Sequence, residues 1–405
     1  MSKINLPRNG SVLFAFATGL GIVSLLLFPF GIFYLSLSLV VLATGECRVR
    51  RFVVLILCVT AVIVLAPLVA LKLPIDVIGN DKSQYLGFMY EMNDFGMKDL
   101  MARQPEIISF ASLYMTSHLV GATDLAFYVI FVTFFSLLLV VIWREQYNVI
   151  PLFMLLLISS SPFFSVYGNV IRQGMALPFI FLMIFSNEKK KAALWLVMSG
   201  LAHIPALLIG APYVLYRCFG KWATWSVLVV ASGICFFLKM RPGFMDSLSS
   251  DDTSYVSKKI NLYSNWDKYS IAGTAALALA IFLLCNFIRW KGVRRAKRRI
   301  ADEYKAETYC LVAINFSFVS LLATYDFSKI FERIYIYFFV IVLMYLSLVI
   351  GRMKSGLFRK LVVMLAMAYG IAAFTKNLTI QPLLYRGDPF GFLTASIFEM
   401  YRHLM

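Results

Sequence analysis

Two polar side chains, Arg172 and His203, lie within sequence that is otherwise strongly apolar. Arg172 separates the apolar runs 151–164 and 174–185, and His203 lies inside a third run, 192–216. A guanidinium group keeps its proton in proteins, so placing it at membrane depth is costly unless an anion or a water-filled cavity receives it. Both residues are therefore candidates for function, and the neighbouring Asn169 and Gln173 are candidate ligand-binding groups.

A second set of candidates lies in polar sequence before and after these runs, in the segment 72–120 and at the start of a late apolar run. They are Asp81, Tyr85, Arg103, Glu106, Glu332 and Arg333. Paired arginines bind phosphate through parallel hydrogen bonds. A carboxylate (Asp81 or Glu106) acting with a histidine activates or orients a hydroxyl nucleophile. This combination of residues predicts group transfer from a phosphorylated substrate.

The sequence has no recognisable metal-ligand motif, and it has no Walker loop or dinucleotide glycine pattern. We therefore expect no metal and no cofactor, with the arginines stabilising a departing pyrophosphate in place of a divalent ion. Simpler interpretations remain open for single residues. Asp81 is also consistent with a solvated carboxylate or a helix cap, His203 with a hydrogen-bonded core residue, and Arg333 with an ion pair to Glu332 or Asp326.

The composition indicates a membrane protein. Of the 405 residues, 60% are hydrophobic and 15% are charged, and apolar runs recur about every 30 residues. The first run lacks a small-residue cleavage site, so we expect it to be retained. The sequence predicts one membrane-embedded domain over residues 1–405, an all-α polytopic protein with about 11–13 transmembrane or re-entrant helices and short amphipathic external helices.

With the N-terminus inside, the predicted spans are 11–28, 31–45, 52–71, 122–142, 149–165, 174–186, 192–203, 205–216, 222–239, 270–288, 306–324, 334–350 and 361–375. The external segments are then 72–120, 241–269 and the tail 376–405. Tyr85, Phe88, Met89 and Met92 recur at helical spacing and predict an amphipathic helix in the first of these. Residues 390–405 are a candidate for another. The run 192–216 is cationic at both ends, so we expect a helix broken at His203-Ile-Pro205.

The formal net charge of +17 falls on the predicted cytoplasmic segments, as the positive-inside bias requires. Its densest block, residues 289–299, is better explained by anionic membrane lipid than by nucleic acid, because Trp290 is its one aromatic residue. The six cysteines fall in predicted spans or on the basic face, which predicts buried thiols and no disulfide framework.

Several of these motifs, in this order and spacing, resemble the EpsG-type family, which comprises Wzy-like polymerases of bacterial O-antigen and exopolysaccharide. The motifs are Gly79-Asn-Asp-Lys-Ser-Gln-Tyr85, Asn169-Val-Ile-Arg-Gln-Gly-Met-Ala176, Lys189-Lys-Lys191, His203-Ile-Pro-Ala-Leu-Leu208 and Glu332-Arg-Ile-Tyr335. The resemblance implies a GT-C-like glycosyltransferase of the bacterial inner membrane with its site facing the periplasm. Such an enzyme moves a growing glycan from undecaprenyl pyrophosphate to the sugar end of a lipid-linked repeat unit. A chain-length-regulating membrane protein is a candidate partner.

The resemblance also implies roles for particular residues. Asp81 matches the family's early acidic position, Arg172 and Gln173 match its Arg-Gln pair, and His203 and Arg333 match its histidine and late arginine. The sequence departs from the family pattern at two positions. Lys82 follows Asp81 where an aromatic residue is frequent, and Pro205 stands where the family has serine or threonine after the histidine.

Two other functions are compatible with the same residues. An O-antigen ligase, or a transferase using a polyprenyl-phosphate sugar, would use similar arginine and histidine chemistry on a different acceptor. A lipid-linked oligosaccharide flippase would also use buried arginines for an anionic cargo. Transporters commonly contain two matching halves, and the sequence shows no internal repeat.

Overall fold

The computed structural model describes residues 26–43, 51–71, 81–96, 105–220, 271–295, 305–325, 328–353, 357–380 and 391–405. Within these ranges the regular structure is helical, with no strand. In chain order the α-helices are α1 (Pro29–Ala43), α2 (Arg51–Ala70), α3 (Asp81–Phe95), α4 (Ile107–Val120), α5 (Asp124–Gln146), α6 (Ile150–Ser159), α7 (Ser161–Gly168), α8 (Ile171–Phe185), α9 (Lys189–Ala202), α10 (Ala206–Gly220), α11 (Ala272–Arg295), α12 (Lys305–Ala323), α13 (Ser328–Gly351), α14 (Leu357–Ile380), α15 (Gly391–Thr394) and α16 (Ile397–Leu404).

Many of these helices are apolar enough to enter a membrane. In the described part of the chain, five helical runs are long and apolar enough to cross one, and the bent pair α7–α8 makes a sixth. The helices α1, α4 and α10 are apolar but shorter. The chain is therefore an all-α polytopic membrane protein, as the sequence predicts. The predicted span 222–239 and the predicted loop 241–269 lie outside the described residues.

Two contacts at opposite ends show that α2 and α5 run antiparallel. At one end the Lys82 ammonium donates to the carbonyl of Ala70 and to the carboxylate of Asp124, both at 2.6 Å. At the other end the Arg51 guanidinium lies 5.0 Å over the ring of Tyr147. The last turn of α2 therefore meets the first turn of α5. This end of the bundle, which holds Ala70 and Asp124, is called the site end below.

The apolar run Asp124–Ser159 contains a break. Its 36 residues would rise about 54 Å as one straight helix, compared with about 30 Å of hydrocarbon in a bilayer. Gln146 has φ −153° and ψ 66°, and the 3₁₀ turn Tyr147–Val149 follows it. The break lies between the predicted spans 122–142 and 149–165. The two parts also pack differently, α5 against α2 and α8, and α6 against α1, α13 and α14.

The helices α7 and α8 meet at an angle of 107°. The chain leaves helical geometry at Asn169 (φ −130°, ψ −65°) and Val170 (φ −93°, ψ 59°), and α8 starts at the next residue. A Cβ at Gly174 would lie 2.8 Å from Cδ1 of Tyr167, so the tight bend requires glycine there. This bend places Arg172 and Gln173 in the first turn of α8.

The helices α9 and α10 form a helical hairpin with its tip at residues 203–205. Their far ends lie together, because the Lys189 ammonium donates to the carbonyl of Cys218 at 3.2 Å and the Arg217 guanidinium donates to the carbonyl of Asn187 at 3.1 Å. Each arm rises only about 21 Å, which is too short to cross a bilayer. A Cβ at Gly200 would lie 2.5 Å from Cδ2 of Leu207, so the arms approach closely near the tip. The predicted break is confirmed.

The predicted amphipathic helix in the first external segment is α3. Its buried residues are Lys82, Tyr85, Met89 and Met92, at the spacing of three and four that one helix face requires. The helix packs against α4. Near the C-terminus, α16 lies against α2, where the hydroxyl of Tyr401 donates to the carbonyl of Ile63 at 3.1 Å. A helix was predicted over this region as well.

Candidate functional site

Arg172 lies in the first turn of α8 and is almost completely buried, with 6% of its surface exposed. Its Nη1 donates to Oε2 of Glu106, and its Nε donates to the hydroxyl of Tyr85 at 3.1 Å. The guanidinium carbon also lies 5.5 Å and 5.9 Å from the ring centroids of Tyr85 and Phe110. The buried charge is therefore compensated by a carboxylate, a phenol and two aromatic rings.

Glu106 immediately precedes α4 and lies at the centre of the site, with 2% of its surface exposed. While Oε2 accepts from Arg172, Oε1 accepts from Nδ1 of His203 at 2.8 Å and from the backbone N–H of Ile204 at 3.0 Å. Burial opposes ionisation of Glu106, but the charge of Arg172 and the hydrogen bonds from His203 and the backbone of Ile204 outweigh burial and hold its pKa below the usual range. Glu106 is thus an ionised anchor that joins α8 to the tip of the α9–α10 hairpin.

His203 ends α9 in extended backbone geometry, with φ −158° and ψ 113°. The side chain is 1% exposed, and its ring is oriented by the bond from Nδ1 to Glu106. Because a carboxylate accepts that bond, Nδ1 carries the hydrogen, and the neutral form of the ring presents a lone pair at Nε2. Nε2 is buried and makes no hydrogen bond to any described residue.

Asp81 and Arg333 form a more accessible pair beside this buried centre. Nη2 of Arg333 lies 3.9 Å from Oδ2 of Asp81, and the two side chains are 18% and 14% exposed. The hydroxyl of Tyr85 donates a long hydrogen bond of 3.5 Å to the same carboxylate. Burial raises the pKa of Tyr85, an effect only partly offset by Arg172, so the phenol keeps its proton. The backbone N–H of Asp81 donates to Oδ1 of Asn169 at 3.0 Å, which fixes the start of α3 to the α7–α8 bend.

These contacts form one continuous line of interacting side chains at the site end, hereafter the polar line. In order, it consists of Arg333, Asp81, Tyr85, Arg172, Glu106 and His203. The residues come from five separate parts of the chain, yet each touches the next. The two arginines predicted to converge therefore lie at the same end of the molecule and are connected through Asp81 and Tyr85.

Gln173 connects α8 to α13. Its Nε2 donates to the backbone carbonyl of Arg333 at 3.0 Å, whereas its Oε1 is buried and has no hydrogen-bond partner among the described residues. Glu332 lies away from the polar line, since it is 45% exposed and pairs with Lys329 at 3.3 Å. Arg103 lies outside the described residues. The remaining predicted site residues are brought together.

Sequence reasoning did not assign a role to two residues near the polar line. Tyr337 is fully buried one turn after Arg333, and its ring centroid lies 6.2 Å from that of His203. Lys82, 1% exposed, holds the start of α3 against Ala70 and Asp124 and lies 5.0 Å from the ring centroid of Phe127. Burial lowers the pKa of Lys82, and Asp124 opposes that shift. Arg333 and Tyr337 are four residues apart, so their position on one helix face could be predicted from the sequence. No feature of the sequence indicated that Lys82 would be buried.

Among the residues that the structure describes, no group of three or more His, Cys, Asp or Glu side chains is placed to hold a metal ion. Cys58, Cys218, Cys285 and Cys310 are free thiols.

Comparison with known proteins identifies one family. The family model described as EpsG family matches residues 54–386, which is well over half of the chain and includes every residue of the polar line. No curated protein and no solved structure matches the chain.

Proposed function

This chain belongs to the EpsG family, and we propose that it is a membrane glycosyltransferase that polymerises lipid-linked oligosaccharide repeat units. The donor would be a growing glycan on undecaprenyl pyrophosphate, and the acceptor would be the non-reducing end of a lipid-linked repeat unit of O-antigen or exopolysaccharide. One observation supports this most directly. A histidine whose Nδ1 is held by a buried carboxylate, and whose Nε2 makes no hydrogen bond to a described residue, ends a line of contacts that contains two arginines.

Arg333 is the residue best suited to bind the pyrophosphate. Its 3.9 Å contact with Asp81 is longer than a good charge-assisted hydrogen bond, and both side chains are partly exposed. An incoming pyrophosphate carries more charge than one carboxylate and offers oxygens for parallel hydrogen bonds, so it can compete with Asp81 for Arg333. Arg172 is already held by Glu106 and Tyr85. Arg172 contributes positive charge from the buried side of the site and keeps Glu106 in place.

His203 is the proposed general base. The acceptor hydroxyl attacks the anomeric carbon of the donor glycan while its proton passes to Nε2 of His203. A bond forms between that carbon and the acceptor oxygen, and the bond from the carbon to the pyrophosphate oxygen breaks. The imidazolium that results lies next to the Glu106 carboxylate, which stabilises it. The electron pair of the broken bond leaves with undecaprenyl pyrophosphate.

Arg333, with support from Arg172, would stabilise the negative charge that develops on the leaving group. In other enzymes a divalent metal ion provides this stabilisation. The proposed reaction therefore needs no added metal. Many large apolar side chains are exposed on the helices, so the polyprenyl chain would approach laterally from lipid. The positive-inside bias predicts that the site end faces the periplasm of a bacterial inner membrane. A chain-length-regulating membrane protein would act as a partner.

Purified protein in lipid nanodiscs, supplied with synthetic undecaprenyl pyrophosphate-linked repeat units, tests this proposal. We expect a ladder of products on a gel, and the ladder should persist after chelation of divalent ions. His203→Ala should abolish the ladder. His118→Ala is the matched control, because His118 is an exposed histidine that bonds only its own helix, at Tyr114.

Other outcomes would contradict the proposal and identify its rivals. A single addition without further extension would indicate a ligase or a single-sugar transferase. Transbilayer movement of substrate in liposomes without any glycosidic bond formation would indicate a flippase.

A further inference from the structure

Three buried polar atoms around the polar line make no hydrogen bond to any residue that the structure describes. They are Nε2 of His203, Oε1 of Gln173 and the hydroxyl of Tyr337. Their side chains are 1%, 0% and 0% exposed. Folded proteins satisfy the great majority of their buried polar atoms, because an unsatisfied one costs free energy. Three of them on residues in or next to the polar line call for a common explanation.

The three atoms belong to elements that the structure fixes relative to one another. Gln173 is tied to α13 by its 3.0 Å bond to the carbonyl of Arg333. Tyr337 follows Arg333 by one turn of α13, so the side chains of these two residues lie on the same face of the helix. The ring of Tyr337 lies 6.2 Å from the ring of His203, centroid to centroid. The start of α8 and the tip of the α9–α10 hairpin are thus both in contact with the part of α13 that holds Arg333 and Tyr337.

The hydrogen-bonding types of the three atoms favour a sugar over a phosphate. Nε2 of neutral His203 and Oε1 of Gln173 are acceptors, whereas the hydroxyl of Tyr337 both donates and accepts. A sugar hydroxyl donates one hydrogen bond and accepts others, so it complements these atoms. A phosphate oxygen would face two acceptors and one donor, which is unfavourable. The pyrophosphate is better served by Arg333 and Arg172.

We propose that His203, Gln173 and Tyr337 form the subsite for the acceptor sugar. The attacking hydroxyl donates to His203 Nε2 and accepts from the Tyr337 hydroxyl, while a neighbouring hydroxyl donates to Gln173 Oε1. Tyr337 is then a positioning residue that holds the acceptor oxygen toward the base. This inference rests on the proposed polymerase function and adds the identity of the groups that recognise its acceptor.

Another tyrosine in the same protein provides a matched control. The hydroxyl of Tyr167 is also buried and without a hydrogen-bond partner in the described part of the chain. Its ring, however, packs edge-on against Phe131 and Phe135 and close to Phe163. Tyr167→Phe removes the same oxygen atom from an aromatic environment that contains no proposed substrate group.

The test uses one substrate that can act only as donor and another that can act only as acceptor, so that the KM of each can be measured separately. A lipid-linked repeat unit whose terminal acceptor hydroxyl is removed serves only as donor, and a free repeat-unit oligosaccharide without pyrophosphate serves only as acceptor. With Tyr337→Phe we expect the acceptor KM to rise about three- to tenfold, the effect of losing one hydrogen bond. The donor KM and the thermal midpoint should stay at wild-type values. Tyr167→Phe should leave both KM values unchanged.

The possible failures are distinguishable. If the wild-type protein forms no glycosidic bond, the proposed function itself is wrong. If the wild type is active and Tyr337→Phe shows an unchanged acceptor KM, the polymerase assignment stands and the acceptor subsite is wrong. An equal rise in both KM values, or a loss of folded protein matched by Tyr167→Phe, would assign Tyr337 a structural role and would also overturn the inference.

Discussion

Glu106 and His203 are hydrogen-bonded at 2.8 Å although 97 residues separate them in the chain. One belongs to the segment before α4 and the other to the tip of the α9–α10 hairpin. The same Glu106 oxygen also accepts the N–H of Ile204, so the carboxylate fixes both the ring and the backbone of the tip. The proposed chemistry depends on this relationship, because it determines which ring nitrogen of His203 is available as a base.

Glu106→Gln should lower kcat by about 100-fold or more, because the neutral amide cannot stabilise the imidazolium that forms when His203 accepts a proton. The donor KM should change little. Steady-state kinetics of the purified, folded fraction checks this. Glu188→Gln, which alters an exposed glutamate paired with Lys191, is the control. A variant at Glu106 that kept half of the wild-type kcat would show that the carboxylate does not orient the base.

The two arginines should respond differently to truncation. Arg172→Ala leaves Glu106 buried without its cation, so we expect a loss of about 3–5 kcal/mol in the free energy of unfolding. Arg333→Ala removes a partly exposed group, so the protein should stay folded while its donor KM rises tenfold or more. Thermal unfolding and donor titration measure the two effects. Equal destabilisation by both substitutions would contradict the distinction between a buried and a ligand-facing arginine.

Asp81→Asn tests whether Asp81 competes with substrate or acts as a base. Removing the carboxylate frees Arg333 from its 3.9 Å contact, and a partly exposed pair of this kind is worth up to about 1 kcal/mol. We expect inhibition by added undecaprenyl pyrophosphate to become up to about fivefold tighter, with kcat largely retained. A collapse of kcat would instead place Asp81 in proton transfer.

Removing Lys82 and removing Asp124 should destabilise the protein by different amounts, because the Lys82 side chain is 1% exposed and that of Asp124 is 41% exposed. Asp124→Ala leaves a buried ammonium without this carboxylate and should destabilise the protein by about 1–3 kcal/mol, less than for a fully buried pair because Asp124 is partly exposed. Lys82→Met leaves a carboxylate that water can reach and should cost less. The double variant should recover stability relative to Asp124→Ala alone. Thermal unfolding of the three variants provides the measurement, and equal losses in the two single variants would show that burial does not set the order.

The sequence predicted those features that depend on local pattern. The break at His203-Ile-Pro205 followed from a proline and from cations at both ends of one apolar run, and the face of α3 that holds Tyr85, Met89 and Met92 followed from helical spacing. The pairing of side chains did not follow. Arg333 meets Asp81 while Glu332 pairs with Lys329, and Glu106 lies between Arg172 and His203, because tertiary packing sets these distant contacts. Lys82 looked like a departure from the family pattern, yet its buried ammonium, paired with the partly exposed Asp124, holds α3 in place.

A structure of the His203→Ala variant with a bound undecaprenyl pyrophosphate-linked repeat unit would test the central claim most directly. We predict that the pyrophosphate oxygens lie within hydrogen-bond distance of the Arg333 guanidinium, with the anomeric carbon directed toward position 203. A pyrophosphate bound at the opposite end of the bundle, near Arg51 and Tyr147, or one that leaves Arg333 paired with Asp81, would contradict it.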